Sequence, residues 1–147
     1  DEFGKGAGFY VNATVKQYSK HYNMYDFISK ELIEVISTQT RFASSLDAKR
    51  MGIFGHSMGG MGALQIAIKN RDLFHSVSAF APISNPVIAD WGKKYMSAYL
   101  GPEEESVGAW KQYDPTELIK MGMLETRYDR PILIDQGDAD PFLGQGQ

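Results

Sequence analysis

The chain has 147 residues, of which 43% are hydrophobic and 22% are charged. These proportions are those of an ordinary soluble globular protein, so a single domain over residues 1–147 is expected. The net charge of −3, with scattered Lys and Arg, argues against a nucleic-acid partner, and no apolar run approaches the roughly 20 residues of a membrane helix. Because the chain has no cysteine, a disulfide framework and a thiolate metal site are excluded, and we expect a cytoplasmic protein.

The amino-terminal third predicts a loop followed by a helix. Asp1 to Thr14 is rich in glycine and aromatic residues and is expected to be a loop. From Met24 to Ser37 the apolar residues recur at helical spacing, which predicts a helix with one buried face. The residues of that face are Met24, Phe27, Ile28, Leu32, Val35 and Ile36.

The rest of the chain alternates short apolar runs with helical patterns, which is typical of an α/β fold. The predicted elements are strands at Arg50 to Phe54, Ser76 to Ala81 and Pro131 to Asp135, and a helix at Gly59 to Lys69. The run Ile132, Leu133, Ile134 is of the kind found in parallel strands that are covered on both faces. We therefore predict a mostly parallel sheet with helices on both of its faces.

A nucleophile motif joins the first strand to the second helix. Gly55-His56-Ser57-Met58-Gly59 has the pattern G-x-S-x-G, in which a sharp turn between strand and helix exposes the serine hydroxyl. We predict that Ser57 is the nucleophile and that the backbone amide of Met58 is one oxyanion donor. Side chains at positions 55 and 59 are expected to collide with neighbouring elements, and Gly60 is expected to let the helix pack close to the sheet.

A long segment from Asn85 to Thr126 separates the second and third strands. It is rich in Tyr and Trp and is predicted to be helical around Lys93 to Tyr99 and Thr116 to Lys120. An excursion of this length from a sheet usually covers or lines a site, so residues 85–126 are expected to do so.

The turn after the third strand contains the candidate acid of a catalytic triad. Loops that follow strands at this edge of an α/β sheet commonly carry catalytic groups. Asp140 is the favoured residue for orienting a histidine, Asp138 is the competing choice, and Asp135 is expected only to end the strand. The alternative is that these aspartates serve turn structure alone, through bonds between side chain and backbone.

The base that such a triad needs is not evident in the chain. In the usual order the histidine follows the acid, whereas the three histidines, His21, His56 and His75, all precede Asp140. We expect none of them to be the base. The chain is expected to be part of an α/β-hydrolase, with further strands before Asp1 and a strand, helix and histidine after Gln147. On its own it is expected to be unstable or to aggregate, and to have little activity.

Taken together, the motifs resemble those of the S-formylglutathione hydrolase (esterase D) family, which has the α/β-hydrolase fold. The segments that carry the resemblance lie at Asp1 to Thr14, Phe54 to Gly60, Ser76 to Pro86, Trp91 to Lys94, Tyr99 to Gly101, Tyr113 to Pro115, and Ile132 to Leu143. The resemblance implies hydrolysis of the thioester S-formylglutathione to formate and glutathione, a step of formaldehyde detoxification. It also implies that Ser57 is the nucleophile and Asp140 the acid. The family's histidine and its oxyanion-loop segment have no counterpart in the chain.

Aromatic residues near the motif are candidates for substrate binding. Phe9, Tyr10 and Trp91 are predicted to narrow the acyl pocket, with ordinary core packing as the alternative for each. Serine chemistry requires no metal, and we expect no cofactor. A homodimer is compatible with the sequence. The alternative functions are a related carboxylesterase or acyltransferase of the same fold, and a catalytically inactive fragment or binding module.

Overall fold

The computed structural model describes residues 5–39, 41, 43–124 and 131–145. The start of the amino-terminal motif (1–4) and the end of the predicted excursion (125–126) therefore lie outside the described residues. No helix within the described ranges combines the length and apolar character that crossing a membrane requires.

In the described ranges, three parallel strands form a sheet in the order β1, β2, β3. They are β1 at Met51–His56, β2 at Phe74–Phe80 and β3 at Ile132–Asp135. All three predicted strands are present, with ends that differ by one or two residues. Helix α3, Met58–Lys69, packs on one face of β1 and β2, and its buried side chains form a core with Val77 and Ala79.

The opposite face of the sheet is exposed in the described part of the chain. Phe54, Ser78 and Leu133 are register partners on that face, and Phe54 is 79% and Leu133 52% exposed. Among the described residues, cover is present on one face of the sheet, and cover of the second face of β3 stays a prediction. The sequence of β3 is apolar on both faces, but no described element packs over this one.

The helical segment after the amino-terminal loop differs from its prediction in the face that it buries. It comprises α1 at Met24–Asp26, a π turn at Phe27–Glu31 and α2 at Leu32–Thr38. A π turn holds one residue more than an α turn, so the side chains beyond it are rotated around the axis. Beyond the turn it is Ile33, and not Leu32 of the predicted face, that packs on the core of α3. Ile28 packs there as predicted, whereas the exposed side chains include Phe27, Leu32 and Val35.

The excursion contains more helix than predicted. Its elements are a short 3-10 turn at Pro86–Ile88, then α4 at Asp90–Leu100, α5 at Glu103–Lys111 and α6 at Pro115–Lys120. Helix α5 was not predicted. A second core joins α4 and Trp110 of α5 to Val11 and Ala13 of the amino-terminal loop. The loop that precedes α1 is thereby fixed against the excursion.

Asp114 fixes the position of α6 relative to the start of α4. Its fully buried carboxylate accepts hydrogen bonds from the Glu117 amide (2.9 Å) and the Val87 amide (3.1 Å). The first bond caps α6, and the second holds the turn just before the helix that carries Trp91. Desolvation raises the pKa of Asp114, although its backbone hydrogen bonds oppose that effect.

Candidate active site

Ser57 occupies the turn between β1 and α3 in a strained backbone conformation. Its φ is 54° and its ψ is −116°, a region that non-glycine residues rarely adopt and that costs about 1–3 kcal/mol. The surrounding backbone holds it there. Its amide donates to the Phe80 carbonyl (2.8 Å), and its carbonyl accepts from the amides of Met61 (3.0 Å) and Ile83 (3.3 Å). The serine is thus tied both to its own helix and to the carboxyl end of β2.

Two of the three glycines around the serine have the steric role that the sequence predicts. A Cβ at Gly55 would overlap the backbone of Gly59, and one at Gly60 would lie 3.0 Å from Pro82. At Gly59 the prediction of a collision is wrong, because the nearest atom to an added Cβ would be the Tyr10 hydroxyl at 3.7 Å. The turn therefore requires glycine at position 55, and close packing on the sheet favours it at position 60.

Backbone strain is concentrated around this turn. The non-glycine residues of positive φ within the described ranges are Phe9 (47°), Tyr10 (53°), Ser57 and Ala81 (42°). Ala81 directly follows β2, and its amide donates to the carbonyl of Asp135, the last residue of β3, over 2.7 Å. That Asp135 ends its strand agrees with the prediction. Strain of this kind persists only where the surrounding structure enforces it, and it is common at functional sites.

Ser57 opens onto a small cavity of about 200 Å³, called here the Ser57 cavity. Its walls are uncharged and mostly apolar. They are formed by Phe9, Ser57, Met58, Ile83, Trp91 and Phe142. Pockets for drug-sized ligands are usually about 300–1,000 Å³, so this space is suited to a small group.

The structure brings two of the three predicted aromatic residues together with Ser57. Phe9 and Trp91 both line the Ser57 cavity, and the Phe9 ring stacks on Tyr95 with a centroid distance of 3.6 Å. Burial raises the pKa of the Tyr95 hydroxyl well above its ordinary value, so this hydroxyl stays protonated and uncharged. The indole N–H of Trp91 is buried and has no hydrogen-bond partner among the described residues. Such a donor costs about 1–3 kcal/mol unless a partner reaches it.

Tyr10 lies outside the Ser57 cavity. Its ring packs on α3 against Gly62, so closely that a Cβ at Gly62 would overlap the ring. Tyr10 lines two neighbouring cavities, one of about 320 Å³ beside the amino-terminal loop and one of about 510 Å³ beside β1. Its contacts are those of the packing alternative, although Ser57 also lines the larger of these two cavities.

Ile83 and Phe142 belong to the cavity wall and were not predicted. Ile83 comes three residues after the last residue of β2, and Phe142 lies in the turn that follows β3. Both are therefore close to the carboxyl edge of the sheet, where ligands bind in α/β folds. Applying this rule to all residues that follow a strand, and not to polar ones alone, would have indicated Ile83 and Phe142 as candidate wall residues.

Asp140 is placed next to this wall and takes part in a local turn. Its carboxylate accepts from the Phe142 amide (2.9 Å) and from the Gln136 side-chain amide (2.9 Å). The bond to the amide two residues later is the turn structure that the alternative reading anticipates. A carboxylate has about four acceptor positions, so these two bonds leave room for a histidine N–H. Asp138 is exposed in the same turn, whereas Asp140 is half-buried.

None of the three histidines lines the Ser57 cavity. His75 lies near the amino end of β2, at the edge of the sheet opposite Ser57. His56 is exposed at the end of β1 and lines the cavity beside that strand, which Ser57 also lines. His21 lines the cavity beside the amino-terminal loop. The structure thus assembles Ser57, Phe9 and Trp91, with Asp140 nearby, but it brings no histidine into the Ser57 cavity.

Met58 is the first residue of α3 and lines the Ser57 cavity. The first amides of a helix have no partner within the helix and carry the positive end of its dipole. The Met58 amide is therefore available to a developing negative charge beside Ser57. Within the described residues, no group of His, Cys, Asp and Glu is placed to hold a metal ion.

The chain is similar to known esterases over its whole length. The family model Esterase, described as "Putative esterase", matches residues 1–147. The S-formylglutathione hydrolases of Mus musculus and Rattus norvegicus are 51% and 48% identical to the chain, each over 99% of it. The alignments cover 48% of either relative, so the chain spans about half the length of the curated relatives it matches.

A solved structure of an S-formylglutathione hydrolase from Agrobacterium tumefaciens matches with a TM-score of 0.82 and 45% identity. The match covers 96% of this chain and 47% of that structure. The predicted resemblance and the predicted α/β-hydrolase fold are both confirmed.

Proposed function

Because the chain belongs to the Esterase family, we propose that it acts in the hydrolysis of S-formylglutathione to formate and glutathione. Ser57 is the nucleophile of this reaction. The observation that carries the proposal is the position of Ser57, strained at the start of α3 and open to a small apolar cavity. The substrate is inferred from the relatives, which are named S-formylglutathione hydrolase.

The chemistry is acyl transfer through the serine. The Ser57 Oγ attacks the formyl carbon, a histidine accepts the hydroxyl proton, and a tetrahedral oxyanion forms. When the C–S bond breaks, the histidine returns the proton to the sulfur and glutathione leaves as a thiol. Water then attacks the formyl-serine by the same route, which releases formate and regenerates Ser57. His21 and His75 line neither of the cavities that Ser57 lines, and His56, which shares the larger one, is exposed at the end of β1 and adjoins Ser57 in the chain. The base in this proposal is therefore a histidine outside residues 1–147.

The oxyanion is stabilised in part by the Met58 amide. This donor precedes the intrahelical hydrogen bonds of α3 and follows Ser57 directly, as the nucleophile motif requires. A second donor is expected from a segment other than those described. Loss of one such donor typically reduces turnover about 100- to 1,000-fold.

Asp140 orients the histidine and stabilises its charged form. Two observations support this role. Asp140 is half-buried beside the cavity wall, and it accepts a hydrogen bond from the amide of Phe142, which lines that wall. In this proposal the turn bonds hold the carboxylate in place, so the turn and the catalytic roles are compatible. Asp138, which is exposed, is the less favoured alternative.

The cavity walls select a small acyl group. Phe9 and Trp91 face the same space as Ser57, and Trp91 comes from the excursion that the sequence predicts to cover or line the site. The leaving group extends outside this space. Tyr10 acts indirectly, through its packing on α3. The homodimer and the cytoplasmic location stay predictions, which light scattering and cell fractionation test.

The decisive experiment is a substrate panel on the longest natural polypeptide that contains residues 1–147. S-Formylglutathione, S-acetylglutathione, a short p-nitrophenyl ester and an acetylated sugar are compared with the same enzyme. We expect the highest kcat/KM for S-formylglutathione and the loss of all activity in Ser57→Ala. Preference for the sugar ester would favour a carbohydrate esterase, and a wild type without any hydrolysis would favour a binding module.

A further inference from the structure

Gln65 is a polar side chain in the interior of α3, the helix that begins directly after Ser57. It is fully buried, and its amide donates to the carbonyl oxygens of Phe9 (3.3 Å) and Tyr10 (3.1 Å). These are the two consecutive residues of the amino-terminal loop that have left-handed backbone conformations. A single side chain therefore connects the nucleophile helix to the strained part of this loop.

The two loop residues have different places in the site. The Phe9 ring forms a wall of the Ser57 cavity and stacks on Tyr95, whereas the Tyr10 ring covers Gly62 of α3. Their rings take these places because the backbone turns in an unfavourable direction at both positions. The contacts from Gln65 hold the two carbonyl groups that this turn directs toward the helix.

The other half of the Gln65 amide is not satisfied. Its carbonyl oxygen is buried and has no hydrogen-bond partner among the described residues. A buried acceptor without a partner is unfavourable, so an apolar residue of similar volume would suit a purely structural position in this core. The amide is therefore better explained by what it does to the loop than by the stability of α3.

We propose that Gln65 is a positioning residue that fixes Phe9 as a wall of the Ser57 cavity and thereby limits the length of the acyl group. This inference rests on the proposed acyl transfer at Ser57. Gln65 touches neither the Ser57 cavity nor the reacting atoms, since it acts through the backbone of Phe9 and Tyr10. Without its two hydrogen bonds the loop relaxes, the Phe9 ring moves, and longer acyl groups fit.

The test measures acyl selectivity in variants that keep the volume of residue 65 but lose its donor. Gln65→Met and Gln65→Leu are compared with the wild type on p-nitrophenyl acetate and butyrate, and on S-formylglutathione and S-butyrylglutathione. We expect the preference for the short acyl group to fall about tenfold, which is the order of effect of one methylene in an apolar pocket. A ratio of two kcat/KM values does not depend on the folded fraction, so a loss of stability alone leaves it unchanged.

Ile68→Val is the matched control, because Ile68 is buried in the same helix and truncation there weakens the same core. It should lower stability with no change of selectivity. An unchanged ratio in both Gln65 variants would overturn the inference and leave the proposed function intact. Hydrolysis of the esters without hydrolysis of the thioesters would reject S-formylglutathione as substrate, while the ester ratio would still decide the role of Gln65. No hydrolysis of any substrate would overturn both.

Discussion

Gly55 and Gly59 face each other across the turn that presents Ser57, so closely that a Cβ on Gly55 would overlap the backbone of Gly59. The reverse does not hold, because a Cβ on Gly59 would lie 3.7 Å from its nearest neighbour, the Tyr10 hydroxyl. The two glycines of the motif therefore have different reasons to be glycine. The first allows the turn to form, and the second lies in the first turn of α3 without steric need.

This asymmetry predicts unequal effects of the same substitution. Gly55→Ala should destabilise the fold by about 3 kcal/mol or more, since the overlapping atoms are backbone and cannot move aside as a side chain would. Gly59→Ala should change stability by no more than about 1 kcal/mol, because alanine is the better helix former. Urea unfolding of both variants measures the difference. Equal losses of stability would contradict this account of the turn.

Trp91 is predicted to set the acyl selectivity from the side of the excursion. Trp91→Ala enlarges the Ser57 cavity, so the preference for formyl over butyryl thioesters should fall by about tenfold or more. Trp110→Phe is the control, since Trp110 is buried in the core of α4 and α5 and lies outside the cavity. Steady-state kinetics on both thioesters provides the readout. An unchanged preference in Trp91→Ala would exclude Trp91 from the acyl pocket.

Asp140 and Asp138 are distinguished by paired asparagine variants. Asn retains an acceptor for the Phe142 amide, so the turn of Asp140→Asn should persist while the histidine loses its orienting charge. We expect kcat to fall by about 10⁴-fold in Asp140→Asn, as for the acid of other serine triads. Asp138→Asn should stay within about twofold of the wild type. The reverse pattern would transfer the catalytic role to Asp138.

Lys69 gives a pH dependence of stability that is separate from catalysis. Its ammonium lies 4.0 Å from the ring centroid of Tyr25 and 4.2 Å from that of Tyr113. Desolvation lowers the pKa of Lys69 to about 8, against an opposing effect of the Asp26 charge. Between pH 8 and 10 the folded state has therefore released a proton that the unfolded state still holds. The free energy of unfolding should rise with pH over this window.

Lys69→Met removes this titration and serves as the reference. The free energy of unfolding of the wild type minus that of Lys69→Met should rise by less than about 1.4 kcal/mol per pH unit. The rise stays below this limit because solvent partly screens a half-buried ammonium. Above pH 10 the raised pKa of the partly buried Tyr113 opposes the trend, so measurements stop there. Chemical denaturation at pH 7, 8, 9 and 10 follows the difference. A flat or falling difference would contradict the desolvation of Lys69.

Much of the fold could be predicted because strand, turn and helix each have a local signal. The apolar run before Ser57, the glycines of the turn and the small residues of α3 together predicted β1 and α3 to within two residues. Helix α5 had no such signal. Trp110 is the single buried residue that it contributes, so its sequence shows no apolar periodicity.

The deviations come from geometry that the sequence pattern does not encode. One π turn at Phe27–Glu31 changed which side chains of the first helical segment face the core. The sequence groups Tyr10 with Phe9 as aromatic residues of a loop near the motif, yet their rings lie in different places. Gln65 had no functional signal, because its role depends on contacts with residues more than fifty positions away.

If Ser57 is an activated nucleophile, a fluorophosphonate should label it covalently. The longest natural polypeptide containing these residues is treated with a fluorophosphonate, digested, and the adduct is located by mass spectrometry. We expect one adduct, on the peptide that contains Ser57. It should be lost in Ser57→Ala and retained in Ser84→Ala, since Ser84 is a nearby serine outside the Ser57 cavity. An enzyme that hydrolyses thioesters while Ser57 stays unlabelled, or that is labelled on another residue, would contradict the nucleophilic role of Ser57.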